Sequence, residues 1–212
     1  MNIFFDLDGT LSDPAEGIIR CLEYAVIGAG GMSHSRKQLI KYIGPPLRDS
    51  LQELLPKADG AQLDRAIGMY RKRYTSHGMF ENKLYPDIPR MLDELQDLGH
   101  SMWVVTAKPR DFAVKILDYL EISSSFRGVY GPELNQHDVL KSALIRRALD
   151  ENGLSERGTA MVGDRSYDIE AAREEGVYSV GVLWGFGSRD ELETAGADLF
   201  INSPADLTGS IQ

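Results

Sequence analysis

The sequence predicts an α/β protein, a doubly wound parallel sheet with a helical domain inserted after its first strand. Three observations lead there. Beyond residue 84, strand and helix patterns alternate, as they must when parallel strands are joined by crossover helices. From residue 13 to 84 the apolar residues fall only at helical spacing, with no strand pattern between them. The first apolar run, Asn2-Ile3-Phe4-Phe5, is short, β-favouring and soon broken by Gly9, which reads as a strand buried on both faces.

In chain order, Ser12-Asp13-Pro14 reads as a helix start with proline at the first position, and the helix runs to the breaker Gly28-Ala29-Gly30-Gly31. Those glycines end a helix rather than follow a strand, so they form a stop and not a dinucleotide loop. Cys21 lies on that helix's apolar face of 18, 21, 22 and 25. With nothing basic placed beside it, it reads as core packing rather than as a nucleophile. Ser35-Arg36-Lys37-Gln38 has the pattern of a capping box. Leu47, Leu51, Leu54 and Leu55, then Leu63, Ile67, Tyr70 and Tyr74, mark two more amphipathic helices.

After residue 84, Asp87 is the expected N-cap of a helix carrying Ile88, Met91, Leu92, Leu95 and Leu98 on one face and stopped by Gly99. Strands are expected at 101–105, 127–130, 159–162, 179–183 and 198–201. Helices are expected at 112–120, 138–152 and 167–175, with a short one before the last strand. In the 138–152 helix, Leu140, Leu144 and Ala148 mark the buried side. The domains expected are therefore a core of residues 1–12 and 85–212 and a helical cap of residues 13–84, set over the carboxyl end of the sheet as a lid.

Composition narrows the function classes. The 212 residues are 42% hydrophobic and 26% charged, ordinary for a folded soluble protein. A net charge of -9 speaks against a nucleic-acid surface. A single cysteine excludes an internal disulfide and any multi-cysteine zinc site, and the four histidines show no ligand spacing to one another. No signal peptide precedes the first strand and no apolar stretch is long enough to span a bilayer, so a cytoplasmic protein without a membrane partner is expected.

The chemistry concentrates at strand ends. Asp6 and Asp8 in Phe5-Asp6-Leu7-Asp8-Gly9-Thr10 follow the first strand one residue apart. Strand alternation would send both to the same side, at the sheet edge where open α/β sheets bind ligands. Two like charges so close ask for a cation or a shared proton. Thr106, in Val105-Thr106-Ala107-Lys108-Pro109, ends the next core strand before a turn whose free amides suit an anion. In Gly163-Asp164-Arg165-Ser166-Tyr167-Asp168, Asp164 follows a buried strand and Asp168 enters a helix. Each of these also has a structural reading: a threonine or aspartate at such a place can simply cap a helix, and Lys141 can be a solvated helix lysine.

Taken together, DLDGT, a strand-terminal threonine, a helix lysine and GDxxxDxxAA occur in the order and spacing of the haloacid dehalogenase-like hydrolase superfamily, which the chain resembles over essentially its full length. Within it the chain is similar to phosphoglycolate phosphatase-like and 5'-nucleotidase-like phosphatases with a small helical cap. The resemblance implies a Rossmann-like core and Mg²⁺-dependent hydrolysis of a small phosphorylated metabolite. It implies that Asp6 attacks phosphorus and becomes an aspartyl-phosphate, and that Asp8 exchanges the proton. Asp6, the backbone carbonyl of Asp8 and Asp164 would hold Mg²⁺, with Asp168 orienting Lys141 or metal-bound water. Thr106 and the Ala107 amide would bind phosphoryl oxygens, Lys141 would neutralise nucleophile and phosphate, and the cap loop with Gly44, Pro45 and Arg48 would select the substrate.

Charge balance agrees. A like pair at ~4 Å repels by about 4 kcal/mol at an effective dielectric of 20, so four aspartates facing a phosphate need the charge of Mg²⁺ and Lys141. Two positions depart from the family pattern. Gln136-His137-Asp138-Val139-Leu140-Lys141 lacks the Lys-Pro-x-Pro context, leaving Lys108 as the substitute for Lys141, and Thr106-Ala107 replaces the commoner Ser-Asn or Thr-Asn pair. A phosphomutase on the same scaffold and a non-enzymatic phospho-signalling receiver stay open as alternatives. Against the receiver stands Thr106 where such a domain carries its phosphorylated aspartate. The oligomeric state is not legible.

Overall fold

The computed structural model describes residues 1–134, 136 and 139–211. In chain order the elements are β1 (Asn2–Phe5), β2 (Ser12–Asp13), α1 (Ala15–Gly28), α2 (Arg36–Leu39), α3 (Leu47–Leu54), α4 (Gly60–Ser76) and β3 (Lys83–Leu84). Then come α5 (Ile88–Asp97), β4 (Ser101–Val105), α6 (Arg110–Tyr119), β5 (Val129–Tyr130), α7 (Lys141–Asn152), β6 (Thr159–Gly163), α8 (Ser166–Glu174), β7 (Tyr178–Val182), α9 (Arg189–Ala195), β8 (Leu199–Ile201) and α10 (Leu207–Ser210).

Among the described residues, six parallel strands form the main sheet in the order β5-β4-β1-β6-β7-β8. The chain builds outward from β1 in one direction through β4 and β5, then returns to the other side of β1 for β6, β7 and β8. That reversal falls between β1 and β6, the switch point at which doubly wound sheets open a ligand crevice. The α/β prediction is met. Neighbouring strands are in register, Phe5 lying beside Val104 on one side and Val162 on the other. Asp6, Thr106 and Asp164 are each the first residue beyond one of three adjacent strands.

The rows of the sheet explain its apolar strands. Phe4 lies beside Trp103 and Met161, its ring edge-on to Trp103 with centroids 5.8 Å apart. Leu144, Ile145, Ala148, Ala171 and Ala172 from α7 and α8 close over that row. Ile3, Phe4 and Phe5 are all buried, so β1 shows no polar alternation at all.

The chain forms two compact units, Met1–Asp13 with Lys83–Gln212, and Pro14–Asn82. At the chain crossings β2 and β3 pair antiparallel, a two-stranded ribbon that the sequence pattern does not reveal. Because Ser12 and Asp13 are drawn into it, α1 starts at Ala15 and Pro14 is its N-cap rather than its first residue.

Three further expectations are corrected. Asp87 precedes α5 but caps it only through its backbone oxygen, which accepts the Met91 N–H at 2.8 Å. Its φ of 64° is left-handed, and a side-chain cap needs an extended residue there. Leu98, expected on the buried face of that helix, is the exposed residue beyond its last turn. Helix α7 begins at Lys141, with extended Leu140 before it, so Leu140 is exposed rather than part of the buried side. Asp138, where that helix was expected to start, and His137 lie outside the described residues.

In the second unit, Gly17 of α1 lies so close to the backbone of Gly78 that a Cβ would overlap it. Cys21 is fully buried there, and burial holds its thiol above the usual range. The Arg73 guanidinium nevertheless stands 3.2 Å from its sulfur, brought from α4, a neighbour that the local sequence could not show. Core packing remains the reading of Cys21, on burial rather than on the lack of a base.

Arg73 grips Glu81 in bidentate fashion at 2.8 and 3.0 Å, and Arg20 adds a third bond at 2.8 Å. Arg73 first, then Arg20, holds the Glu81 carboxyl down to about 2. A depressed folded-state value stabilises above the unfolded value near 4.5 and is lost as pH falls toward 2. Glu81→Gln is therefore expected to cost roughly 1–2 kcal/mol at pH 6. Melting curves should show the gap to wild type closing between pH 4.5 and pH 2; a gap independent of pH would contradict the assignment.

Candidate active site

Strand β1 stops at Phe5 because the chain turns: the Leu7 carbonyl accepts the N–H groups of Leu11 and Ser12, both at 3.0 Å. Asp6 stays tied to the sheet, its N–H donating to the Val162 carbonyl at 2.9 Å. Asp8 lies in the turn, so strand alternation does not reach it. The two carboxylates feel each other's charge but each takes its own lysine.

Lys141 Nζ lies 3.1 Å from Asp6 Oδ1 and also pairs with Asp168 Oδ1. Its ammonium is buried, and these two carboxylates raise its pKa well above the usual lysine range although burial opposes them. Lys141 is the first residue of α7, where the helix dipole disfavours a cation. Its flanking carboxylates offset that cost, a local conflict of the kind found at functional sites. Asp168 divides its oxygens: Oδ2 accepts the Arg165 N–H at 3.0 Å, capping α8, and Oδ1 takes Lys141. Asp168 thus caps α8 through one oxygen and pairs with Lys141 through the other.

Asp164 is fully buried. Its Oδ2 accepts the Phe186 N–H at 2.8 Å, and Thr10 Oγ1 stands 3.4 Å from its Oδ1. Gly9, at φ +90°, passes so close that a Cβ would overlap the Asp164 carboxylate. A Cβ on Gly185 would stand 2.5 Å from both Asp164 Oδ2 and the Gly9 carbonyl. The turn is fastened by Trp184, whose indole N–H donates to the Thr10 carbonyl at 2.9 Å. Gly185 packs against Asp164 and the Phe186 N–H binds it, backbone contacts that residue types do not announce.

Asp6, Asp164 and Asp168 each offer one oxygen within 4.8 Å of the others, and all three are buried. Burial, then the charges of Asp168 and Asp6, push the Asp164 carboxyl up to about 8. Burial likewise lifts Asp168 to about 6 against the pull of Lys141. Burial and mutual repulsion disfavour the charged forms of Asp164 and Asp168, a cost that a hard divalent cation among buried oxygens would relieve, so the residues fit one. The Asp8 side chain is not in this cluster; its Oδ2 lies 2.5 Å from Lys108 Nζ, and its pKa is raised by burial although Lys108 lowers it.

Thr106 is buried at the end of β4 with its N–H on the Tyr130 carbonyl at 2.9 Å, and its Oγ1 accepts the Lys108 N–H at 3.3 Å. Ala107, beside it, is exposed. Tyr85, which no motif singled out, faces the same field: burial first, then Asp13, Asp164 and Asp8, raise its phenol's pKa. In the other unit Arg48 is exposed and ion-paired with Asp64, Gly44 has φ +105°, and Pro45 is half-buried.

A doubly wound sheet with buried carboxylates and two buried lysines at its switch point has the layout of an α/β enzyme site for an anionic ligand. The chain belongs to the haloacid dehalogenase-like hydrolases, whose family model matches residues 3–182. It is 39% identical over 191 residues to a 5'-nucleotidase of Pseudomonas aeruginosa, covering 90% of this chain and 86% of that one. A phosphoglycolate phosphatase of Aquifex aeolicus is 30% identical over 205 residues, 97% of this chain and 93% of that one. The tyrosine-protein kinase PtkA of Mycobacterium tuberculosis, 31% identical over 192 residues, is longer: the match spans 90% of this chain and 65% of the kinase. Among solved structures, a haloacid dehalogenase-like family hydrolase of Streptococcus pneumoniae superposes with a TM-score of 0.91 at 30% identity, over 100% of this chain and 98% of that one. The resemblance read from the motifs is thus met, and the chain is an enzyme of this hydrolase family, with phosphatases among its relatives. Among the described residues no helix is long and apolar enough to cross a membrane.

Proposed function

We propose that the chain is a Mg²⁺-dependent phosphomonoester hydrolase acting on small phosphorylated metabolites in the cytoplasm, through a phosphoryl-aspartate on Asp6. The observation that carries this reading is the buried cluster of Asp6, Asp164 and Asp168 with Lys141 paired to two of its members. Asp6, Asp164 and the Asp8 carbonyl would hold the Mg²⁺, with Asp168 in support, and the bound ion would supply positive charge against the phosphoryl oxygens. Asp6 attacks phosphorus; Thr106 and the Ala107 amide hold the phosphoryl oxygens; Lys141 neutralises the charge spread over them in the transition state. Asp8 gives a proton to the leaving oxygen and takes one from the hydrolytic water.

The test is phosphate release from sugar phosphates, nucleotides, phosphoglycolate and acyl phosphates, with Mg²⁺ and with chelator. Catalytic turnover that chelator abolishes and Mg²⁺ restores is expected. Stoichiometric phosphorylation without turnover would favour the receiver, and an isomerised sugar phosphate without free phosphate would favour the mutase.

Residues 13–84 are proposed as a cap that sets specificity through Gly44, Pro45 and Arg48. Arg48 would exchange its Asp64 partner for a second anionic group of the substrate. Arg48→Ala is expected to lower kcat/KM by roughly 10-fold for substrates bearing that group and little for those without it, the scale of a charged hydrogen bond. An unchanged ranking across the panel would end the specificity role.

A further inference from the structure

We propose that Lys108 is a positioning residue that leaves a single oxygen of Asp8, Oδ1, to exchange the proton in both halves of the reaction. The inference rests on the roles just proposed for Asp6 and Asp8. A carboxylate alone can turn about its last torsion and offer either oxygen. Here Oδ2 is engaged by Lys108 Nζ at 2.5 Å, with the two side chains only 19% and 8% exposed. Asp8 Oδ1 is buried and has no hydrogen-bond partner among the described residues.

The lysine itself stands on a fixed base. Its N–H donates to Thr106 Oγ1, and the Thr106 and Arg110 N–H groups donate to the Tyr130 and Pro132 carbonyls, both at 2.9 Å. Gly131 packs so closely that a Cβ there would stand 2.5 Å from the Lys108 carbonyl. A long side chain anchored at its root and ion-paired at its tip loses the freedom that makes surface lysines poor positioners.

In the first half an Asp6 oxygen bonds to phosphorus, the ester P–O bond breaks with its electron pair on the leaving oxygen, and that oxygen takes the proton from Asp8 Oδ1. In the second half a water oxygen bonds to phosphorus, the bond to Asp6 breaks with its pair returning to the carboxylate, and the water's proton passes to Asp8 Oδ1. An aryl oxide leaves well without a proton; an alkoxide does not. Misplacing Asp8 should therefore penalise alkyl substrates selectively.

The experiment compares kcat/KM for glycerol phosphate and p-nitrophenyl phosphate in wild type, Lys108→Met and Lys108→Arg, all with Mg²⁺. Since kcat/KM reports only the steps up to leaving-group departure, Lys108→Met is expected to lower the alkyl value by about 100-fold and the aryl value by less than about 10-fold. Lys108→Arg, keeping the charge, should recover part of the alkyl loss. A pre-steady-state burst of nitrophenolate should emerge in Lys108→Met because the second half is slowed as well. Lys108→Gln carries the same test should the methionine variant not fold. Equal losses on both substrates, or none, would overturn the positioning role while leaving the phosphatase reading in place. A wild-type chain that releases no phosphate from either ester would overturn both.

Discussion

Asp6→Asn is expected to lower metal-dependent phosphate release by about 10⁴-fold or more, the scale on which a covalent nucleophile acts. The substitution keeps the side chain's shape but removes the oxyanion proposed to attack phosphorus. It also removes a negative charge from a cluster that burial and mutual repulsion already disfavour, since Asp6 helps to raise both Asp164 and Asp168. Lys141 keeps Asp168 as a partner. The metal-free variant should therefore melt no lower than wild type while losing most of the stabilisation expected from Mg²⁺, because one of the proposed anionic ligands becomes a neutral amide. Activity and melting temperature with and without Mg²⁺ decide the matter together. A variant that keeps more than about 1% of wild-type turnover, or one that loses turnover only because it unfolds, would remove Asp6 from the nucleophile's place.

Gly9→Ala should damage the site from the opposite direction, through geometry without any change of charge. A left-handed φ of +90° is strained for alanine, and the added methyl would occupy the space of the Asp164 carboxylate. Strain and overpacking together are expected to cost roughly 2–5 kcal/mol. The Phe186 amide binds Oδ2, the same oxygen that a Cβ on Gly9 would meet, so the carboxylate cannot shift without disturbing that bond. The expected result is a folded, less stable protein whose melting temperature no longer responds to Mg²⁺ and whose turnover falls at least ~100-fold, as a misplacement of about 1 Å suffices to cause. Denaturant titration with and without Mg²⁺ measures both parts. A variant that stays Mg²⁺-responsive would show that Asp164 can shift aside and is not the rigid member described here.

What could be read in advance follows from how local each signal is. The strand before Asp6 and the strand before Asp164 are continuous apolar runs ended by glycine or aspartate, so both their type and their shared sheet edge were legible. Lys141 was found by its place in a motif, yet its real setting, the first turn of α7 against the dipole, was hidden because Leu140 looked like part of an apolar stripe. That leucine is exposed; periodicity alone cannot tell the last residue of a loop from the first of a helix. Asp87 misled for a similar reason, since its residue type suits a side-chain cap while its φ forbids one.

The contacts that escaped prediction are long-range or made by backbone. Phe186 reaches Asp164 through an amide that every residue but proline possesses, and Trp184 holds Thr10 from 174 positions away. Arg73 beside Cys21 and Lys108 beside Asp8 are side-chain partners supplied by separate elements. Lys108 was legible only as a stand-in for Lys141. In the folded chain the two lysines pair with different carboxylates, one with Asp6 and Asp168 and one with Asp8.

In the proposed mechanism a covalent phosphate on the sixth residue is the step from which the other roles follow. Acid-quenched turnover of p-nitrophenyl phosphate with Mg²⁺, followed by peptide mapping, should find an acyl phosphate on Asp6 that hydroxylamine removes and that chelator prevents from forming. Steady turnover with no phosphorylated peptide under quench conditions that preserve acyl phosphates, or with the phosphate on any other residue, would contradict the account.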